Sequence, residues 1–402
     1  MKNNSPLSAL IALPEIQEFI TLHAHEKAST LSLRFSSKVG FDLTAITQQI
    51  ELRQKARKKI PSFCIATTIL SPKLYEQSTH EEVAKFKAQF IKGSRLLDAT
   101  AGLGIDAFYI GRNVEHICCL EANRQHAEIL EHNFSQHQIK AEIINTTLED
   151  FIKSGTRKFD VIYVDPDRRP GSNRKLFDIE QCTPNVIELK NHLLGMAAAV
   201  WIKLSPMMDI IAIVKSFSPN IDELHCISLQ NEMKEILLCI KSGEQKTRYK
   251  ATNLNGEPPT TFTSDKIDVK PLLSSPLKYL FEPNMALVKS KLCMEYSSLK
   301  NLRVLYPNGF YFTTDFLEEA LLGRFFEIKA VLPYKKQILQ KFAQEQQLIK
   351  ANISCRNFFW KPEEVKKQLK LTDGGEWYLF CYTNADKKPM ALWCQKIPQK
   401  KI

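Results

Sequence analysis

From the N-terminus to about residue 90, apolar residues recur at helical spacing and the alternation of a half-buried strand is missing, so residues 1–90 read as a helical region. LTAITQQIELRQKARKKIP is the clearest segment: Leu43, Ile46, Ile50 and Ile60 fall on one side, and Pro61 stops the helix. From 91 to 250 the period changes. Short apolar runs at SRLLDA, HICCLEA, AEIIN, FDVIYVD and AAVWIKLS each precede a helix-compatible stretch, and IDELHCISL with KEILLCIKS closes the series. Such alternation predicts an α/β architecture, a Rossmann-like, doubly wound sheet of seven strands with helices on both faces. Only QNEM separates the last two runs, which makes them antiparallel neighbours.

Residues 251–276 are rich in Pro, Ser and Thr and read as a linker. A smaller C-terminal α+β region follows, with strands at RFFEIKAVLP, EWYLFCYT and MALWCQKI and a helix through KKQILQKFAQEQQ.

The first strand of the α/β region carries the chemistry. LLDATAGLGIDAFYI ends its strand on Asp98, passes Ala99 and Thr100, breaks at Gly102 and Gly104, and runs into a helix with Asp106 in its first turn. No G-x-x-x-x-G-K-[ST] is present, which excludes a nucleoside triphosphate loop. Gly102-x-Gly104-x-x-Ala107 satisfies the dinucleotide fingerprint in form, and Glu121, followed by Ala122, closes the next strand where a ribose-binding acid is expected. A nicotinamide dinucleotide is therefore one reading. The acid at the strand exit points the other way, because a pyrophosphate turn exposes N–H groups and avoids carboxylates. S-adenosylmethionine carries an α-ammonium and a sulfonium that would be welcome near Asp98, and a ribose diol that Glu121 can accept. The glycines would then let the backbone pass close to the ligand, where a Cβ would occupy its space.

A second strand exit reads DPDRRP. Asp165 followed by the rigid Pro166 offers a carboxylate oxygen and a free carbonyl, two acceptors for one amine, which is what methyl transfer to an exocyclic base nitrogen requires. Arg168 and Arg169 suit a nearby phosphate or carboxylate. At the fifth strand's end, KLSPMMDI places Lys203 where it can reach the cleft, and Ser205-Pro206 looks like a helix N-cap with proline at the first helical position.

Composition adds two constraints. The net charge of +11 favours polyanionic partners without requiring them. The basic run Arg53, Lys55, Arg57, Lys58 and Lys59 reads either as a solvated helix face or as a grip on phosphates. The 10 cysteines are scattered, with Cys118 and Cys119 in a strand and no Cys-x-x-Cys, so neither a disulfide framework nor a zinc site is signalled. With no run of membrane-spanning length and no cleavable leader, a cytoplasmic protein without membrane contact or metal is expected.

DATAGLGID, LEAN, VDPDRRP and KLSP, in this order, resemble the motifs of a class I S-adenosylmethionine-dependent methyltransferase. From about residue 40 onward the chain is similar to the bacterial family in which that domain is followed by a ferredoxin-like segment and a THUMP-like domain. QIELRQKARKKIP, YEQSTHEEVAKFKA, NEMKEILL, FEPNMALVK, LLGRFFEI, ANISCRNF and LTDGGEWYLF carry the likeness outside the core. It implies domains at 91–250 (methyltransferase), 277–325 (ferredoxin-like) and 326–402 (THUMP-like). It implies that Asp98, Thr100, Gly102 and Gly104 hold the methionine part of the cofactor and Glu121 its ribose, with Ala99, Asp106 and Ala122 also bordering the cofactor. Asp165 would border the cofactor, and Asp165-Pro166, with Arg168 and Lys203 nearby, would take the target amine. The THUMP-like region implies RNA binding, hence methylation of a base in structured RNA such as rRNA or tRNA, at nitrogen before carbon. Protein or small-molecule acceptors, and an RNA-binding protein without turnover, are the alternatives. Two departures from the pattern stand out. IINTTLEDF offers Thr146, Thr147 and Leu148 before Glu149 and Asp150 where an acid often meets adenine, and Asp167 with Arg168 replaces the proline and aromatic that usually follow Asp-Pro.

Overall fold

The computed structural model describes residues 10–11, 13–35, 42–155, 157–168, 179–255, 258–265, 269–270, 272–307, 309–317 and 322–397. The chain divides into two compact units, Met1–Asp222 with Leu237–Gln245, and Glu223–Ile236 with Lys246–Ile402.

In the first unit, β1 (Arg95–Asp98), β2 (His116–Leu120), β3 (Glu142–Ile144), β4 (Phe159–Val164) and β5 (Ala197–Leu204) are parallel and stand in the order β3-β2-β1-β4-β5. β1 is flanked by β2 on one side and β4 on the other, so the strand order reverses there, and a crevice opens at the carboxyl ends. The central strands are covered on both faces, which is why Leu96, Leu97, Val161, Ile162 and Tyr163 are all buried.

The N-terminal region folds as α1 (Pro14–Leu22), α2 (Ala28–Phe35), α3 (Leu43–Lys59), α4 (Pro72–Gln77) and α5 (Glu81–Ala88). Ile16, Ile20, Leu31, Ile46, Ile50 and Ile69 share one apolar cluster. Asp42 caps α3, accepting from the N–H groups of Thr44 and Ala45. These helices belong to the same compact unit as the sheet. Two amides secure the link. Gln49 brackets the backbone of Leu70, and Asn133 on α7 (Arg124–Gln136), which follows α6 (Ile105–Ile110), brackets that of Ile69, each giving one hydrogen bond and accepting one. The basic end of α3 is neither a bare solvated face nor a phosphate grip throughout. Arg53 is buried and donates to the carbonyls of Ala66 and Thr68, while Lys59 donates to those of Tyr75 and Glu76, so both cations close orphan carbonyls of the chain that follows.

After α8 (Leu148–Lys153) and α9 (Val186–Met196), the expected cap at Ser205-Pro206 is not one: Ser205 closes a turn to Met208, and α10 (Ile210–Phe217) begins later with Asp209 as N-cap. An aspartate one turn downstream reaches two amides, Ile211 and Ala212, where Ser205 reaches only Met207.

β6 (Ile221–Leu229) and β7 (Glu232–Ile240) form a hairpin through Gln230 and Asn231, both at positive φ as a type I′ turn demands. The expected linker 251–276 carries strand at 251–254 and 260–264. In the second unit β8 (Arg248–Leu254) runs parallel to β6 and pairs antiparallel with β9 (Thr260–Ser264), two strands that were not expected. TTFTS, mostly β-branched or aromatic, outweighs the prolines around it.

The rest of this unit contains α11 (Met285–Lys289), α12 (Cys293–Leu299), α13 (Lys336–Glu345) and α14 (Pro362–Leu369) and a seven-stranded sheet. Its strands are β10 (Tyr279–Pro283), β11 (Arg303–Val304), β12 (Phe312–Thr314), β13 (Gly323–Pro333), β14 (Asn352–Cys355), β15 (Trp377–Thr383) and β16 (Pro389–Lys396), in the order β11-β12-β10-β13-β16-β15-β14. The boundary expected at 325/326 falls inside β13, which pairs with β10 on one side and β16 on the other; segments 277–325 and 326–402 therefore share one sheet.

Candidate active site

The crevice at the carboxyl ends of β1, β2 and β4 is a cavity of about 440 Å³. It is lined by every residue from Asp98 to Asp106, by Glu121 to Asn123, by Thr146 to Glu149, and by Asp165 and Lys203. The cofactor-site residues anticipated from the sequence therefore meet in one place. Backbone pairing sets the arrangement: the N–H of Ala99 donates to Tyr163 O (2.8 Å) and that of Ala101 to Leu120 O (2.9 Å), which ties the glycine turn to both neighbouring strands.

Three buried or half-buried aspartates face this region, and two have cations among the described residues. Asp106 sits 2.7 Å from Nζ of Lys87, which also donates to the Tyr163 hydroxyl (2.7 Å), and accepts from the Thr79 hydroxyl (2.6 Å). Lys87 holds its carboxyl below the usual range despite burial. Asp165 sits 2.5 Å from Lys203 Nζ, and its N–H donates to Thr100 Oγ1 at 2.7 Å. Burial raises the Asp165 carboxyl, and the Lys203 ammonium opposes that rise. Asp98 is the exception. Its Oδ1 accepts from the N–H of Thr100 (3.1 Å), but among the described residues no cation lies within ion-pairing distance. Burial and the neighbouring Asp106 and Asp165 push it up to about 8. A buried carboxyl without a cation, at the wall of a cavity, is a place for a positively charged ligand group.

Glu121 is held by the N–H groups of Gly102 (3.1 Å) and Asn123 (2.8 Å), one to each carboxylate oxygen, so its orientation toward the cavity is set by backbone donors. The two glycines differ in role. At Gly102 (φ +55°) an added Cβ would meet nothing nearer than Leu74 Cδ2 at 3.8 Å, so that position borders open cavity. At Gly104 (φ +83°) Leu130 and Phe134 of α7 occupy the space of a Cβ, so this glycine serves helix packing rather than ligand approach.

Thr147 caps α8, its Oγ1 accepting from the N–H of Asp150, and Asp150 pairs with Lys153; of the acids after β3, only Glu149 lines the cavity. Leu148 presents a buried apolar side chain beside it. Asp167 accepts from Gln77 Nε2 (2.7 Å), and its backbone pairs with Thr183 in a two-stranded ribbon that also pairs Arg168 with Cys182. The side chain of Arg168 and the whole of Arg169 lie outside the described residues. Sequence reasoning missed one wall: Lys73, Leu74, Gln77 and Thr79, with Lys87 beneath, come from α4, α5 and the link between them. The carboxylates of the cavity were the signal for these cations, but nothing local to Lys87 distinguishes it from Lys85.

Two family profiles match the chain: "Conserved hypothetical protein 95" over residues 77–218, and "THUMP domain-like" over residues 323–396. The chain is similar, at 22% identity over 80% of its length and 87% of theirs, to two curated Mycobacterium tuberculosis proteins, from strains CDC 1551 and H37Rv, each named as an uncharacterized S-adenosylmethionine-dependent methyltransferase. It also resembles a crystal structure from Porphyromonas gingivalis W83, provisionally named as a methyltransferase, with a TM-score of 0.82, 28% identity, and coverage of 96% of this chain and 98% of that one. The fold and these likenesses support a class I S-adenosylmethionine-dependent methyltransferase. Within that class, this chain is of the kind that carries a THUMP-like domain at its C-terminal end.

Proposed function

We propose that the protein transfers a methyl group to a base of structured RNA, with an exocyclic amine as acceptor. S-adenosylmethionine, when bound, supplies an electrophilic methyl group on a sulfonium sulfur. The observation that carries the reading is Asp98, a buried carboxyl with no ion pair among the described residues, sharing one cavity with Glu121 and with the Asp165–Lys203 pair. Asp98 is suited to the α-ammonium, Glu121 to the ribose hydroxyls, and the segment Thr146 to Glu149 to adenine, while Gly102 leaves room beside the cofactor.

On the acceptor side Asp165 and the carbonyl of Pro166 take hydrogen bonds from the amine and direct its lone pair. Asp165 then offsets the positive charge growing on nitrogen and takes the proton it must lose, for which a raised carboxyl is suited. Lys203 keeps that carboxylate in place. The THUMP-like match at 323–396 and the net charge of +11 support RNA as the substrate class.

The test is incorporation of tritiated methyl groups by the purified protein into total RNA, total protein and small-molecule fractions. Label in RNA that vanishes with Asp165→Ala is expected; label in protein alone would overturn the reading.

A further inference from the structure

In the second unit a cluster of aromatic side chains runs from an apolar core out to solvent. Phe358 and Tyr334 pack against the apolar core beneath α13 and α14, with their ring centroids 4.7 Å apart. Phe359 lies 4.4 Å from Phe358 and Trp360 5.7 Å from Phe359, yet Phe359 is 61% exposed and Trp360 37%. Exposing such rings gives up the stabilisation that burial would return, so a neighbouring pair of them marks a contact surface.

The pair sits on a braced loop. Arg356 N–H donates to Cys381 O (3.1 Å), Thr383 N–H donates to Asn357 O (3.1 Å), and the loop ends at α14, where Pro362 takes the first helical position and Glu364 accepts from the N–H of Lys361 (2.7 Å). Two other segments adjoin it: Tyr334 N–H donates to Pro389 O, and the turn Asn384–Lys388 continues directly from Thr383. Lys335, Lys336, Lys361, Lys387 and Lys388 on these three segments are exposed, and none has an ion pair among the described residues. The acids here are Glu363, Glu364 and Asp386, so positive charge predominates.

Flat rings on a hydrogen-bonded loop, bordered by lysines without ion pairs among the described residues, match single-stranded nucleic acid, whose unstacked bases lie on aromatic faces while phosphates meet ammonium groups. A duplex keeps its bases stacked on each other and has no use for the rings. We infer that Phe359 and Trp360 form a stacking platform for single-stranded RNA. This rests on the RNA reading above and assigns it a surface; it does not involve the methyl-transfer cavity.

The test uses the full chain and a fluorescein-labelled twelve-nucleotide oligouridylate, followed by fluorescence anisotropy without cofactor. Phe359→Ala/Trp360→Ala should weaken binding by about tenfold or more. Lys335→Ala/Lys336→Ala/Lys361→Ala should weaken it and flatten its dependence on salt. Binding of S-adenosylmethionine, unchanged in both variants, shows that they are folded. Equal affinity of wild type and the aromatic variant would overturn the platform while leaving RNA as substrate. Absence of binding by the wild type would overturn the platform and count against RNA itself. Concentration-dependent self-association lost in the aromatic variant would mean that the rings bind protein, and would equally overturn the proposal.

Discussion

Lys203 Nζ and Asp165 Oδ2 lie 2.5 Å apart, although the two residues stand at the ends of different strands. Asp165 is one-third exposed to the cavity, Lys203 only 15%, so the ammonium backs the carboxylate from the protein side. Burial raises Asp165 and Lys203 lowers it, so removing the cation raises Asp165 further and leaves it protonated at higher pH. Lys203→Met is expected to lower kcat by about ten- to hundredfold and to move the acid limb of the pH–rate profile upward. Lys203→Arg should restore most of both. An unmoved acid limb in Lys203→Met would show that the titrating group is not Asp165.

Asp98 predicts a proton-linked affinity. With its carboxyl raised to about 8, the ligand-free protein carries a proton there at neutral pH, and a cationic group binding at Asp98 must displace it. Affinity for S-adenosylmethionine should therefore rise with pH up to about 8 and then level off. Calorimetry in buffers of different ionisation enthalpy should detect the released proton at pH 7. The same shift works against folding: between the ordinary carboxylate range and about pH 8 the native state binds the extra proton, so this group's contribution to stability falls as pH rises. Asp98→Asn should remove both dependences and weaken binding by about 1.5–3 kcal/mol, the worth of a hydrogen bond to a charged group.

Lys87 is buried against Asp106. Breaking a buried pair leaves the other charge uncompensated, so Lys87→Met is expected to cost about 3–5 kcal/mol in urea unfolding. Adding Asp106→Leu should recover part of that loss, because the orphaned carboxylate is gone.

The two glycines separate ligand approach from packing. Gly104→Ala forces a Cβ into Leu130 and Phe134 at a positive φ and should destabilise by about 2–4 kcal/mol. Gly102→Ala meets open cavity and should cost only about 1–2 kcal/mol in stability. Its larger effect should be on cofactor affinity, measured by titration calorimetry.

Much of this was legible from local pattern. The seven core strands were placed by short apolar runs, the first five each followed by a helix-compatible stretch, because strands covered on both faces leave continuous hydrophobic segments. The strands at 248–254 and 260–264 were not, since the prolines between them and the threonines within them read as punctuation. Ser205 read as the N-cap from its proline neighbour, whereas Asp209, which reaches two backbone amides against one for Ser205, takes that place.

By itself the sequence determined which residues stand at the strand exits: Asp98 and the glycine turn after β1, Glu121 after β2, Asp165-Pro166 after β4. These follow from local period and turn chemistry. Tertiary structure decided which carboxylates are compensated. Lys87 reaches Asp106 from α5, and Lys203 reaches Asp165 from β5, while Asp98 has no ion pair among the described residues. That outcome depends on strand order and on the packing of the N-terminal helices, which are long-range contacts, and electrostatic compensation acts through distance in space rather than separation along the chain.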